Sequence, residues 1–397
     1  MAHTVSKREG EGRGEPVYKD HNLHIIWFVT LMAVLGSSSV APAFPGVREE
    51  LGVSAGQVGL LITVFTLPGV LLTSVAGVLS DKYGRRNILV PSLLLFGVAG
   101  TACALARDFE TLLALRVLQG VGAAALGAIN VTLIGDLFSG GERLTALGYN
   151  SSVLSVGTAG YPAIGGALAT FGWFYPFALP ILAVPIALLV LFSLRNPEPH
   201  NEQGLKEYAG SVWEHLKDRL VLGIFIGNLV TFIILFGALI TYLPALMYDD
   251  FGATPLVIGI VVASASLTTA LTSTQLSRLT ARFSEKPLIR ASFVLYAVAL
   301  ILVPLVPSVW LLLVPTVIFG VAQSMNIPNS FSLLNEAAPS ENRGAFMSIN
   351  STILRLGQTL GPVLMSAVAI PFGLGGAYFA VAALAVATLL VALVLIR

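Results

Sequence analysis

Charge is what this sequence is shortest of. Asp, Glu, Lys and Arg together make up 11 % of its 397 residues, against about 25 % in ordinary soluble domains. A water-soluble chain of this length could not cover its surface with so few charges, so a soluble catalytic domain is excluded. The single cysteine, Cys103, excludes an internal disulfide and a cysteine-based metal cluster. The five histidines fall in the termini, the loops or the span ends, and no metal site is expected from them. No phosphate-cradling G-x-x-x-x-G-K-[ST] loop is present, which argues against ATP as an energy source. A net charge of +1 gives no reason to expect a nucleic-acid partner. No cofactor is implied.

What is there instead is apolar sequence, 55 % of the chain. Runs of about 20 apolar residues recur from end to end, and each can cross a hydrocarbon core of roughly 30 Å as a helix. The fold class expected is an all-α polytopic membrane protein with twelve spans. They are placed at 23–45, 56–80, 87–106, 109–135, 143–170, 173–194, 220–247, 255–277, 287–306, 309–335, 343–370 and 372–396. Residues 1–22 read as a polar, disordered tail without the apolar core of a signal peptide. Residues 195–219 divide the spans into a bundle over 23–194 and another over 220–397. This linker sets Leu205, Tyr208, Val212, Leu216 and Leu220 at helical spacing, which suits an amphipathic helix in the membrane interface. With the N-terminus inside, all Lys and Arg residues except Arg48, Arg107, Arg116 and Arg355 fall on the cytoplasmic side. Both termini are therefore expected to be cytoplasmic.

The two halves repeat at an offset of 200. Leu51-Gly52 matches Phe251-Gly252, Gly120 matches Gly320, Asp136 matches Glu336, Arg143 matches Arg343, Asn150 matches Asn350, Gly157 matches Gly357 and Pro162 matches Pro362. One ungapped register over such a distance reads as an internal duplication, and such repeats place a transporter's site at their interface.

Residues 77–86 read G-V-L-S-D-K-Y-G-R-R and close the second span. A positive-inside turn explains the basic residues but not Asp81 and Gly84 at this spacing. The stretch resembles the loop between spans 2 and 3 of the major facilitator superfamily, G-x-x-x-D-[RK]-x-G-R-[RK], with Gly77, Asp81, Lys82, Gly84, Arg85 and Arg86 all matching. The resemblance implies a cytoplasmic latch that holds the halves together in the outward-facing state. Gly77 would admit a neighbouring helix. Asp81 would cap span 11 near Asn342, and Arg85 would pair with Asp136. The matching stretch of the second half, S-R-L-T-A-R-F-S-E-K, has Ala281 for the Asp and Ser284 for the Gly, so the lock is expected to be asymmetric.

Two further motifs extend the resemblance. R-V-L-Q-G from Arg116 to Gly120 resembles the family's second signature. There Arg116 reads either as a cavity-facing cation that, with Asp136, tunes proton exchange, or as an arginine snorkelling to the outer interface. G-T-A-G-Y-P-A-I-G-G, from Gly157 to Gly166, resembles the drug:proton antiporter signature G-x-x-x-G-P-x-x-G-G, with Tyr161 in place of the second glycine. Gly357, Gly361 and Pro362 stand in register with it. Gly157, Pro162, Gly165, Gly166 and these three also suit a plain helix-packing elbow.

The most informative single residue is Arg355, about twelve residues into span 11 and roughly 18 Å from its cytoplasmic end. An ionised group at mid-membrane is costly and is a functional-site candidate by default. All 21 Asp and Glu residues lie in tails, loops or span ends. That absence argues against an obligately cationic substrate. The polar residues expected around Arg355 are Gln323, Asn326 and Asn329 in span 10. Span 11 adds Asn350, Thr352 and Gln358, and span 5 adds Asn150, Ser151 and Ser155.

The resemblance covers residues 23–397 and implies a secondary transporter of two six-helix bundles that rock about a midplane site. Its substrate would be a small molecule, its energy source protons, its surroundings the bilayer of the cell membrane, and its working unit a monomer. Export of amphiphilic compounds such as drugs by proton antiport is the leading expectation. Import or exchange of organic anions through Arg355, lipid translocation, and a non-transporting sensor on the same fold stay open.

Overall fold

A computed structural model describes residues 16–194, 218–337 and 343–396. The expected tail up to residue 15, the interfacial helix of the linker and Asn342 lie outside the described residues. The described residues are helical with short turns and contain no strand.

The helices labelled here are α1 (His21–Leu51), α2 (Ala55–Tyr83), α3 (Arg85–Leu105) and α4 (Phe109–Leu137). They continue with α5 (Gly140–Ala169) and α6 (Tyr175–Ser193). The second half holds α7 (Arg219–Phe251), α8 (Pro255–Ser273), α9 (Glu285–Leu305) and α10 (Val309–Ala337). A final helical stretch, Arg343–Leu395, is broken at Gly373 (φ 71°, ψ 175°) into α11 (343–372) and α12 (374–395). Ten described segments are long and apolar enough to cross a membrane, the last of them spanning both α11 and α12. α5 is not among the ten. Its 30 residues suffice in length, but its Ser, Thr, Asn and Gly content makes it more polar.

Polar residues at the ends decide where these helices begin. Asp20 accepts from the Asn22 N–H at 2.8 Å and starts α1. Ser54 and Gln57 form a reciprocal capping box on α2. Asp108 starts α4, where the Thr111 N–H and hydroxyl donate to its carboxyl at 2.7 and 2.9 Å and hold it below the usual carboxylate range. The alternation of helices puts 20, 83–85, 194 and 395 on one face, called here the terminal face, and 52–54, 106–108, 252–254 and 306–308 on the other, the distal face.

The apolar interiors are separate. One core draws only on residues of α1–α6, from Leu23 to Leu194, and another only on α7–α12, from Val221 to Ile396. A third cluster, near the distal face, joins Phe44, Ile62 and Trp173 to Phe236 and Ile240 across the halves.

The internal repeat has a counterpart in packing. Gly120 of α4 rests on the α2 backbone and Gly320 of α10 on the α8 backbone. An added Cβ would meet the carbonyl oxygens of Phe65 and Ala265 at 2.2 and 2.3 Å. Gly157 lies against Leu31 and Val34 of α1, as Gly357 lies against Leu229 and Phe232 of α7. α1 and α7 are both irregular at corresponding depths. α1 turns through a 3-10 segment at Ala41–Ala43, and α7 widens into a π-helix at Leu235–Tyr242.

Candidate functional site between the bundles

Where the bundles meet, the contacts are concentrated towards the distal face and the middle. On the rim of the distal face, Arg48 of α1 donates to both carboxylate oxygens of Asp249 at 2.9 and 3.0 Å, and Tyr248 donates its hydroxyl to Glu49. Deeper in, α5 crosses α8 with backbones touching. A Cβ on Gly166 would lie 2.4 Å from the Pro255 carbonyl, and one on Gly259 would lie 2.3 Å from that of Pro162. α2 runs against α11 in the same way. The Thr63 hydroxyl donates to the Thr359 carbonyl at 3.1 Å, and Thr66 and Thr359 hydroxyls share a bond of 2.9 Å. Further towards the terminal face, Ser74 meets Ser348 at 3.2 Å.

Beyond that point α5 opens away. Ser151 and Ser152 are exposed, and Cβ atoms at Gly148 and at Gly77 of α2 would meet nothing within 4 Å. Among the described residues, none makes the close approach expected at Gly77.

Arg355 sits at the centre of this interface. It is half-buried, and its side chain lies against the bare backbone of α2 at Gly69. Its side-chain hydrogen bond goes to Gln358 Oε1, at 3.3 Å. Gln323 and Ser155 are half-buried as well, and Ser155 returns its hydroxyl to the Ser151 carbonyl at 2.9 Å. Asn150, Asn326 and Asn350, expected around the same site, are placed elsewhere. They are 8 %, 0 % and 0 % exposed and are used inside the bundles. Asn150 accepts from Thr30 at 2.5 Å, and Asn130 also bonds Thr30, tying α4 and α5 to α1. Asn350 accepts from Asn228 at 2.7 Å, and Asn326 accepts from Thr231 at 3.3 Å, tying α10 and α11 to α7. Asn329 turns back to the Met325 carbonyl at 2.7 Å, and Thr352 to the Ser348 carbonyl at 3.2 Å.

Arg116 corrects both readings of its position. It neither faces a cavity nor snorkels outward, being 0 % exposed inside the first bundle. Its guanidinium donates to the carbonyls of Leu61 and Gly36 at 3.1 and 2.8 Å and to Gln119 Oε1 at 2.8 Å, and it lies 4.2 Å from the Phe65 ring centre. Backbone carbonyls and a ring face stand in for a carboxylate counter-ion, a stabilisation of up to about 2 kcal/mol for the ring alone when desolvated. The side chain thereby fastens α4 to α1 and α2.

At the terminal face, Arg85 is 5 % exposed and donates through Nε to Asp136 Oδ2 at 3.0 Å and through Nη1 to Ser80 at 2.7 Å. Asp81 also pairs with Arg85, one turn along the chain. Gly84 makes the turn with φ 93°, and Arg86 and Lys82 face outward. The cap expected from Asp81 falls on residues outside those described.

The elbow residues are packing positions in this structure. A Cβ at Gly165 would meet the Ser39 carbonyl at 1.8 Å, one at Gly361 would meet the Ile233 carbonyl at 2.7 Å, and Pro362 lies beside Gly59. His21 and His24 stand three residues apart, but His24 Nε2 is engaged with the Tyr18 carbonyl at 2.7 Å. Among the described residues, no cluster of His, Cys, Asp and Glu could hold a metal ion. Sequence reasoning missed the pairing of Arg48 with Asp249 and of Glu49 with Tyr248. The signal was available, since 48 and 49 stand in repeat register with 248 and 249.

The chain matches the sequence profile of the Major Facilitator Superfamily over residues 26–246 and again over 224–397. Multidrug resistance protein 1 of Bacillus subtilis (strain 168) is 30 % identical over 355 residues, covering 87 % of this chain and 89 % of that protein. The bacillibactin exporter of the same organism is 28 % identical over 360 residues, with the same coverage of each chain. Among solved structures, a bacterial homologue of the human lysosomal transporter Spinster, in an inward-facing and occupied conformation, superposes with a TM-score of 0.80 at 17 % identity. It covers 97 % of this chain and 98 % of its own.

Proposed function

The chain belongs to the major facilitator superfamily, a family of transporters rather than enzymes, and on that premise we propose that it is a proton-coupled exporter of small amphiphilic compounds working by alternating access. The carrying observation is the position of Arg355. This charge stands at mid-depth between two separately cored bundles whose described contacts join them on the distal side and in the middle. A deep charge in a membrane protein costs several kcal/mol unless it is paired or faces a cavity, and such charges mark pathways; a midplane site between repeats is where such transporters bind their cargo.

In this reading the terminal face is cytoplasmic, both termini lie on the cytoplasmic side of the cell membrane, and the described arrangement is inward-facing. The solved relative in an inward-facing conformation supports that assignment, and the names of the two Bacillus relatives support export. The substrate site is built around Arg355, Gln358, Gln323 and Ser155. Asp136, bound to Arg85 at the end of α4, joins proton coupling to the latch in this reading. Arg116 contributes by holding α4 in place. The working unit is a monomer.

The test is dye flux in proteoliposomes under an imposed pH gradient. Gradient-driven movement that Asp136→Asn uncouples is the expected result, and gradient-independent flux in the wild type would overturn proton coupling. A second reading, exchange or import of organic anions, draws on the same Arg355. The direction of net flux in this assay separates it from export.

A further inference from the structure

Arg355 differs in its surroundings from Arg48, Arg85 and Arg116. Arg85 is paired with Asp81 and Asp136, and Arg48 with Asp249. Arg116 is enclosed by two carbonyls, an amide and an aromatic face. Among the described residues, Arg355 has no carboxylate within ion-pairing distance, and its side-chain hydrogen bond there is the long contact to Gln358. A guanidinium carries five N–H donors, so most of its bonding capacity is unspent.

The room it occupies is cut out of the opposite bundle. A Cβ at Gly69, the midpoint of α2, would lie 3.1 Å from Arg355 Cδ and 3.3 Å from Nε, and a Cβ at Gly127 of α4 would lie 3.8 Å from Nη2. The side chain of α11 thus crosses the interface and seats its charged end between two helices of the first bundle, at positions with no side chain to exclude it. It remains half-buried rather than sealed. No Asp or Glu of the chain lies deep in a span, so the chain supplies no internal counter-ion at this depth.

We infer that the Arg355 guanidinium, seated against Gly69 and Gly127, binds an anionic group of the transported compound: a carboxylate, phenolate or phosphate carried on an apolar body. This rests on the midplane site proposed above and names its substrate class. A planar fork of N–H donors fits a two-oxygen anion in a bidentate manner. A cationic compound would meet repulsion with nothing nearby to offset it.

The experiment uses the purified full chain in liposomes and three probes built on one uncharged pyrene ring: the carboxylate, its methyl ester and a cationic amine. The expected result is transport of the carboxylate in preference to both others. In Arg355→Gln, that preference over the ester should fall about tenfold, the loss of one charge-assisted hydrogen bond. It should be partly kept in Arg355→Lys. Gly69→Ala, which leaves the arginine in place but takes its room, should lower the same preference by a smaller factor.

Preference for the cationic amine in the wild type, or an equal loss of all three probes in Arg355→Gln, would overturn the inference. If the wild type moves none of the three, quenching of intrinsic tryptophan fluorescence in detergent decides. Arg355-dependent binding of the carboxylate supports the anion site while failing the export reading, and binding that does not depend on Arg355 overturns the anion site. A further arm follows fluorescently labelled phosphatidylglycerol and phosphatidylcholine across the bilayer. Arg355-dependent movement of the anionic lipid alone assigns the same anion chemistry to a headgroup phosphate.

Discussion

Residues 77–86 and 277–286 occupy the same place in the two halves, each joining the second helix of its bundle to the third, and they differ in almost every side chain that does chemistry. In the first, Arg85 gathers Asp81, Ser80 and Asp136 around one buried guanidinium. In the second, Ala281 stands where Asp81 would be. Glu285, in register with Arg85, accepts a hydrogen bond from Ser332 of α10 at 2.6 Å, while Thr280 donates to Asn329 at 3.3 Å. The backbone, however, is shared. Gly84 has φ 93°, and Ser284 is the non-glycine residue with positive φ, at 59°. The reversal of direction between two adjacent spans needs that backbone in both halves, whereas the ion cluster is needed once. The backbone turn and the ion cluster are separable here, and the second half keeps only the turn.

That contrast can be broken at three levels. The largest effect is expected from Arg85→Ala, which strands Asp136 and Asp81 beside a partly buried void. A loss of about 1–3 kcal/mol is expected, against about 1 kcal/mol or less for Glu285→Ala, whose partner is a neutral hydroxyl. Thermal unfolding in detergent compares the two, and equal losses would show that the clusters differ in name only.

Next come the turns themselves. Ser284 holds a backbone conformation that glycine adopts freely, so Ser284→Gly should stabilise by about 1 kcal/mol and Gly84→Ser should destabilise by a similar amount. Opposite signs in the same unfolding assay would sharpen the point that one backbone serves both halves.

The smallest effect is expected on the distal rim, where Arg48·Asp249 and Glu49·Tyr248 form a crossed pair related by the repeat. Such exposed pairs are worth about 0.2–1 kcal/mol. Asp249→Asn should therefore shift the populations of spin-label distances across the distal face by only a few-fold towards separation. No shift would leave the α5–α8 contact as what holds that side.

The family was legible in the motif at residues 77–86, and the polytopic helical class in apolar runs long enough to span a membrane. The placement of Asn150, Asn326, Asn350 and Arg116 was not. All four read as polar groups within spans, and periodicity cannot say whether such a group meets a cavity or a partner in its own bundle. The partners, Thr30, Asn228, Thr231 and the carbonyls of Gly36 and Leu61, are far away in the chain and carry no motif.

The touching backbones of Gly166 and Gly259 also set a mechanical scale. Gly166 lies near the distal end of α5, and Gly140, at the other end, is about 26 residues or roughly 39 Å along the helix axis. With a fulcrum at that crossing, a tilt of only about 10° would swing Gly140 by roughly 7 Å over that lever arm. The tight crossing near one end of α5 is in this sense a gear. It converts a small angular slip between two glycines into a displacement of several ångströms at the terminal face.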